Sequence, residues 1–228
     1  MARIAVITDI HGNLAGLLRT LEDIEARRCD RIICLGDLVD GGPHSAEVVH
    51  EIRHRRIPTV WGNHDKWSEV LVQRGVPMEW AKHEDQKNAA ILRHELHVFL
   101  SGLPEYISEG QILYTHISPR SLKMKINDPF EAWNAFDECK THRRIFVGHA
   151  HIPMIFGEGK KASYQAREHR PKCNEVSRLN PDDRYIICVG AVGYPRDGIR
   201  KIRYSIYDDQ ADTVENVAID GPLLNLGH

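Results

Sequence analysis

Five short apolar runs in this chain each stop at a residue able to ligate a metal ion. Residues 3–8 (RIAVIT) run into Asp9-Ile10-His11, and residues 31–35 (RIICL) run into Gly36-Asp37. Residues 59–61 (TVW) lead to Gly62-Asn63-His64-Asp65, residues 112–115 (ILYT) to His116, and residues 144–147 (RIFV) to Gly148-His149-Ala150-His151. In parallel sheets, ligands gather in the crevice outside the carboxyl ends of the strands. Five sets far apart in the sequence therefore converge if the runs are neighbouring strands.

The segments between the runs support that arrangement. Asn13 is placed to cap a helix reaching about residue 28, with Leu14, Leu17, Leu18, Leu21 and Ile24 on one face. Pro43 suits the first turn of a second helix carrying Ala46, Val49 and Ile52. The β-α-β-α-β order predicts a parallel sheet covered by helices. A long helix is expected over 78–100 and a shorter one over 130–139, started by Asp128-Pro129. Beyond His151 the texture turns to short β-like runs at 154–156, 185–189, 202–207 and 213–219. The polar stretch 157–184 reads as a long surface loop or extended hairpin. With no linker in view, residues 1–228 are expected to form one domain.

Composition excludes several classes. Lys plus Arg number 30 and Asp plus Glu 32, a formal net charge of −2, which gives no overall attraction to nucleic acid or anionic membrane. No stable nucleic-acid complex is expected. No apolar run approaches the ~20 residues of a membrane span, and the N-terminus lacks the pattern of an export signal. The five cysteines contain no CxxC pair and read as reduced thiols, so a cytoplasmic location is expected.

Mixed carboxylate, imidazole and amide donors suit Mn, Fe, Co, Ni or Zn. They do not suit calcium, which takes oxygen ligands, or an iron–sulfur cluster, which takes thiolates. Each motif alone has a bland reading: a DxH or HxH pair arises by chance, and GNHD also describes an Asx-turn. Five in order, each at a strand end, point to a metal site.

The ordered set DIHGN, GDLVDGGP, GNHD, His116 and GHAH resembles the calcineurin-like metallophosphoesterase superfamily. The later segment GAVGYPRDG resembles its small bacterial and archaeal phosphodiesterase members. The resemblance covers about residues 4–207. It implies a four-layer α/β/β/α sandwich with a dimetal site at the carboxyl ends of the strands. It further implies that Asp9, His11 and His151 hold one divalent ion, that Asn63, His116 and His149 hold the second, and that Asp37 bridges both. Two such ions activate a bridging water for in-line attack on phosphorus. His64, beside a ligand but not one in the family, is then a general acid or a stabilising cation, oriented by Asp40.

Three positions depart from the family pattern. Gly41 stands where protein phosphatases and dinucleoside tetraphosphatases carry a phosphate-clamping Arg. Ile117 replaces a common Gly, and Cys188 replaces a common Asn. Arg120 and Arg196 are candidates for a substrate phosphate and Tyr194 for stacking on a base. Each also reads as an ordinary surface or edge residue. The expected activity is hydrolysis of a phosphodiester or phosphomonoester of a small nucleotide-like substrate. Phosphoanhydride hydrolysis in dinucleoside polyphosphates is the alternative, and a non-catalytic scaffold is opposed by the intact ligand set.

Overall fold

The computed structural model describes residues 2–66, 96, 98–119, 125–158 and 165–225. In chain order its elements are β1 (Arg3–Ile7), α1 (Leu14–Ala26), β2 (Arg31–Cys34), α2 (Ser45–His54), β3 (Tyr106–Glu109), β4 (Ile112–Thr115), α3 (Pro129–Glu138), β5 (Arg144–Val147), β6 (Met154–Gly157), β7 (Arg167–His169), β8 (Glu175–Arg178), β9 (Tyr185–Cys188), β10 (Ile202–Asp208) and β11 (Thr213–Ile219). They form a five-stranded sheet, β2-β1-β10-β11-β8, and a six-stranded sheet, β3-β4-β5-β9-β6-β7. Pairing is parallel at β1–β2, β4–β5 and β5–β9 and antiparallel elsewhere.

Strand alternation sets the layers. Ala5 and Ile7 of β1 join Leu17, Leu21 and Ile24 of α1 and Val49 and Ile52 of α2 in one core. Ile4 and Val6, one residue out of phase, join Tyr114, Phe146, Ile187 and Tyr207 in a second core between the sheets. Ile145, Val147, Ile186 and Cys188 face a third core with Ala132, Ala135 and Phe136 of α3. Helices, sheet, sheet and helix stack as four layers, as the motifs implied. Each fully buried Ile, Leu, Val or Phe contributes roughly 1.5–3 kcal/mol, so three cores offset the shortness of four- and five-residue strands.

An ion pair between buried Arg144 and half-buried Asp212 ties the sheets together. Arg144 of β5, 5 % exposed, donates through Nε to Asp212 Oδ1 at 2.8 Å and through Nη2 to the other carboxylate oxygen. Tyr207 of β10 donates its hydroxyl to the same Asp212 at 3.0 Å.

The helix caps fall where the sequence places them. Asn13 accepts from the Gly16 amide at 3.0 Å, and Asp128 accepts from Phe130 and Glu131 at 2.9 and 3.0 Å. The second helix begins at Ser45, two residues after Pro43. The 59–61 run is not a full strand: Thr59 makes one parallel bridge to Cys34. Most of the helix expected over 78–100 lies outside the described residues; Leu96 and Leu100 are buried in the α1/α2 core. Neither a loop nor one hairpin describes 157–184. β7 pairs with β6 at the edge of the larger sheet, and β8 pairs with β11 at the edge of the smaller one.

Candidate metal centre

The loops after β1, β2, the Thr59 bridge, β4 and β5 meet at one end of the sandwich. Asp9, His11, Asp37, Asp40, His149 and His151 all have left-handed backbone, with φ between 52° and 70°. They are six of the ten non-glycine residues with positive φ among the described residues. Such conformations cost roughly 1–3 kcal/mol each and persist where surrounding structure over-determines them. Here the Ile10 and His11 amides both donate to Asp37 O at 2.9 Å, and the Gly148 amide donates to His116 O at 2.8 Å. Two glycines permit the close approach. A Cβ on Gly62 would collide with the Asp37 carboxylate, and one on Gly148 would collide with Thr8 Oγ1 and lie 3.0 Å from Asp9 Oδ2.

The ligand atoms form overlapping groups: Asp9 with His11 and His151, His11 with Asp37 and His64, and Asp37 with His116 and His149. Within each group the atoms lie within 4.8 Å of one another. Three imidazoles are oriented from behind. Nδ1–H donates to a backbone carbonyl in His11 (Asp40 O, 2.8 Å), His116 (Leu35 O, 2.6 Å) and His151 (Tyr194 O, 2.8 Å). That fixes Nε2 as the nitrogen facing inward. The inward Nε2 atoms meet acceptors: His151 lies 3.1 Å from Asp9 Oδ1, His116 lies 3.1 Å from Asp37 Oδ2, and His11 lies 3.6 Å from Asp37 Oδ2. Asn63 Oδ1 sits 3.2 Å from His116 Nε2 and 2.9 Å from His149 Nδ1.

Acceptors and imidazole lone pairs packed this closely could hold cations among them. Asp9 Oδ1 is buried and accepts no hydrogen bond. Burial pushes His116 down, but the Asp37 carboxylate outweighs it and lifts the imidazole to about 9. Burial pushes Asp37 up, and His116 overrides that to hold it at about 2. His149 is driven down to about 4 by burial and then by His116. The donor set fits divalent ions.

His64 leans over this cluster. Its ring meets that of His11 edge to face at 4.8 Å, its Nδ1 donates to Asp40 Oδ2 at 2.6 Å, and its amide donates to Asp37 Oδ1 at 2.9 Å. Asp65 does more than a turn residue. Its carboxylate accepts from the amides of Asp37 (2.9 Å), Leu38 (2.9 Å) and Gly62 (2.8 Å), tying two ligand loops together. Its nearness to Asn63 in the sequence gave only the contact within its own turn.

Tyr194 packs on His151 and His11, with ring centroids at 4.3 and 5.0 Å, and Arg196 lies against Tyr194. Arg120 lies outside the described residues. Cys188 faces the core under α3, with Sγ 3.6 Å from Ile126 O, and Ile117 is buried.

The two sheets bring Asp and His side chains together at their strand ends in groups that could hold metal ions, the kind of site a metal-dependent hydrolase uses. A profile of the calcineurin-like phosphoesterases matches residues 2–190, and the chain belongs to that family. It is 31 % identical over 236 residues to protein MJ0912 of Methanocaldococcus jannaschii, covering 95 % of this chain and 87 % of that one. The crystal structure of a metallophosphoesterase from Sphaerobacter thermophilus superposes with a TM-score of 0.79 at 31 % identity, covering 97 % of this chain and 89 % of that one. Protein PH1004 of Pyrococcus horikoshii OT3 shares the fold at 16 % identity, with a TM-score of 0.66 and the same coverage. Among the described residues, no helix is long and apolar enough to cross a membrane.

Proposed function

We propose that the chain is a dimetal phosphoesterase that hydrolyses phosphodiester or phosphomonoester bonds of a small, nucleotide-like substrate. The observation that carries the proposal is the inward set of Nε2 atoms facing the carboxylates of Asp9 and Asp37, with Asp37 within reach of both His11 and His116. Asp9, His11 and His151 would hold one ion, and Asn63, His116 and His149 the other. Asp37 would be shared. Two bound divalent ions supply an activated water nucleophile and neutralise charge on the phosphoryl oxygens.

The protein's own groups do the rest. The backbone carbonyls behind His11, His116 and His151 keep each Nε2 lone pair aimed inward. Asp65 holds the Asp37 and Gly62 loops in register. Asp40 keeps the proton of His64 on Nδ1 and leaves Nε2 as the ring's other nitrogen. His64 in its protonated form can donate to the departing alkoxide from Nε2.

The test is a hydrolysis panel of monoesters, diesters and dinucleoside polyphosphates with protein reloaded with Mn, Fe, Co, Ni or Zn. Metal-dependent release of an alcohol or nucleoside from esters supports the proposal. Turnover confined to phosphoanhydrides overturns it.

A further inference from the structure

We infer that Arg196 forms a subsite for a second anionic group on the substrate, one position removed from the reacting phosphorus. The inference rests on the phosphoesterase reading of the adjacent centre.

Segment 192–196 is fastened to two ligand loops. The Val192 amide donates to Thr8 O at 3.1 Å, the Gly193 amide to Asp9 O at 2.8 Å, and the Arg196 amide to His151 O at 3.0 Å. A Cβ on Gly193 would come within 2.5 Å of Ile10 O, so the two loops touch at backbone distance. Behind the segment, Asp197 accepts from the Ile199 amide at 3.0 Å and lies 3.4 Å from Nη2 of the buried Arg203. The position of Arg196 is therefore set by the same loops that carry Asp9 and His151.

Its side chain is exposed and rests on Tyr194. Nη2 donates to the Tyr194 hydroxyl at 2.9 Å, and the guanidinium carbon sits 5.0 Å from the Tyr194 ring centre. The Tyr194 ring in turn packs on His151 and His11. One aromatic ring thus spaces the guanidinium from the ligand imidazoles. No carboxylate pairs with it among the described residues, whereas Arg27, Arg31, Arg144, Arg167 and Arg170 all face acidic partners. With one N–H used, the remaining donors form a free planar fork, the geometry that binds phosphate or carboxylate in bidentate fashion. Gly41, in the loop between β2 and α2, offers no side chain for that purpose. The substrate class this defines is a phosphoester with a second phosphate or carboxylate, such as a nucleotide phosphorylated at two positions.

The experiment compares two chromogenic esters on metal-reloaded protein. One is thymidine 5′-(p-nitrophenyl phosphate); the other is the same ester carrying a 3′-phosphate. The expected kcat/KM ratio, phosphorylated over unphosphorylated, is about 10–100 in the parent and near one in Arg196→Met, as for loss of a charge-assisted hydrogen bond. Arg196→Lys should fall between them, and Tyr194→Phe should lower the ratio while keeping the bound metal. The parent's preference should weaken with added salt. A parent ratio near one, or an Arg196→Met variant that lowers both substrates alike, overturns the subsite and leaves the phosphoesterase reading standing. Turnover of neither ester, nor of any other ester, by the parent overturns the phosphoesterase reading itself.

Discussion

Asp40 holds His64 through its carboxylate, accepting from Nδ1 at 2.6 Å, while its backbone carbonyl accepts from Nδ1 of His11 at 2.8 Å. One residue thus orients an inward-facing candidate ligand and the histidine beside it. Removing its charge keeps the carbonyl and separates the two effects. His64→Ala should keep its metal and lose about 10²–10⁴-fold in kcat on an alkyl ester. On a p-nitrophenyl ester, whose leaving group needs no proton, the loss should be much smaller. Asp40→Asn should lose about 10–100-fold on the alkyl ester with metal content unchanged. Equal losses on both esters would remove the acid role.

Asp37 is the carboxylate common to the His11 and His116 groups, so its loss should empty both positions together. Metal analysis should find two ions per chain in the parent and a deficit at both positions in Asp37→Ala. Chelation should abolish hydrolysis, with Mn among the restoring ions. Full occupancy of either position in Asp37→Ala would refute the shared ligand.

Asp65 predicts a different failure. Three amides lose their acceptor in Asp65→Ala, and each buried donor left unsatisfied costs about 1–3 kcal/mol. The melting temperature should fall and metal should bind more weakly, although Asp65 is no ligand. A variant with parental stability and metal affinity would show that the loops hold without it.

The Arg144–Asp212 pair links the two sheets, and removing one partner should be costly. Asp212→Ala should destabilise the fold by about 3 kcal/mol, the scale for stranding a buried charge. Burial pushes the Asp212 carboxyl up, but the Arg144 guanidinium and the Tyr207 hydroxyl prevail and hold it below the usual carboxylate range. The pair's contribution is therefore complete above the unfolded value of about 3.9 and is lost as pH falls through the lower folded value. Urea denaturation from pH 6 downward should show the parent's advantage over Asp212→Asn shrinking in that acid range.

Much of this was readable from residue order. The candidate ligand set stands at strand ends because strand-length β-branched runs stop there, and the caps at Asn13 and Asp128 follow from side-chain acceptors with amide donors close by. What stayed hidden depends on partners the sequence does not name. Thr59-Val60-Trp61 has strand composition but makes one bridge among the described residues. The strands β7 and β8 are edge strands, β7 exposed throughout and β8 half-exposed, so neither shows the apolar alternation that announces a buried face. Arg167 of β7 is paired with Asp183, a partner the sequence does not name. The carbonyls behind His11, His116 and His151 belong to backbone turns, which carry no side-chain signature.

Strand β1 has its first neighbour, β2, close in sequence, but its second, β10, pairs Ile4 with Tyr207. A chain emerging from the ribosome therefore carries Asp9 and His11 early and completes their supporting sheet almost last. Closing so large a loop costs entropy before any contact rewards it, and pairings of this separation form slowly. The family profile ends at residue 190, yet β10 lies beyond it at the middle of the smaller sheet. A nascent chain halted near that boundary has all seven candidate ligands and lacks the strand that holds the first of them in place. The candidate metal centre is therefore expected to take its final shape only once β10 has joined the sheet.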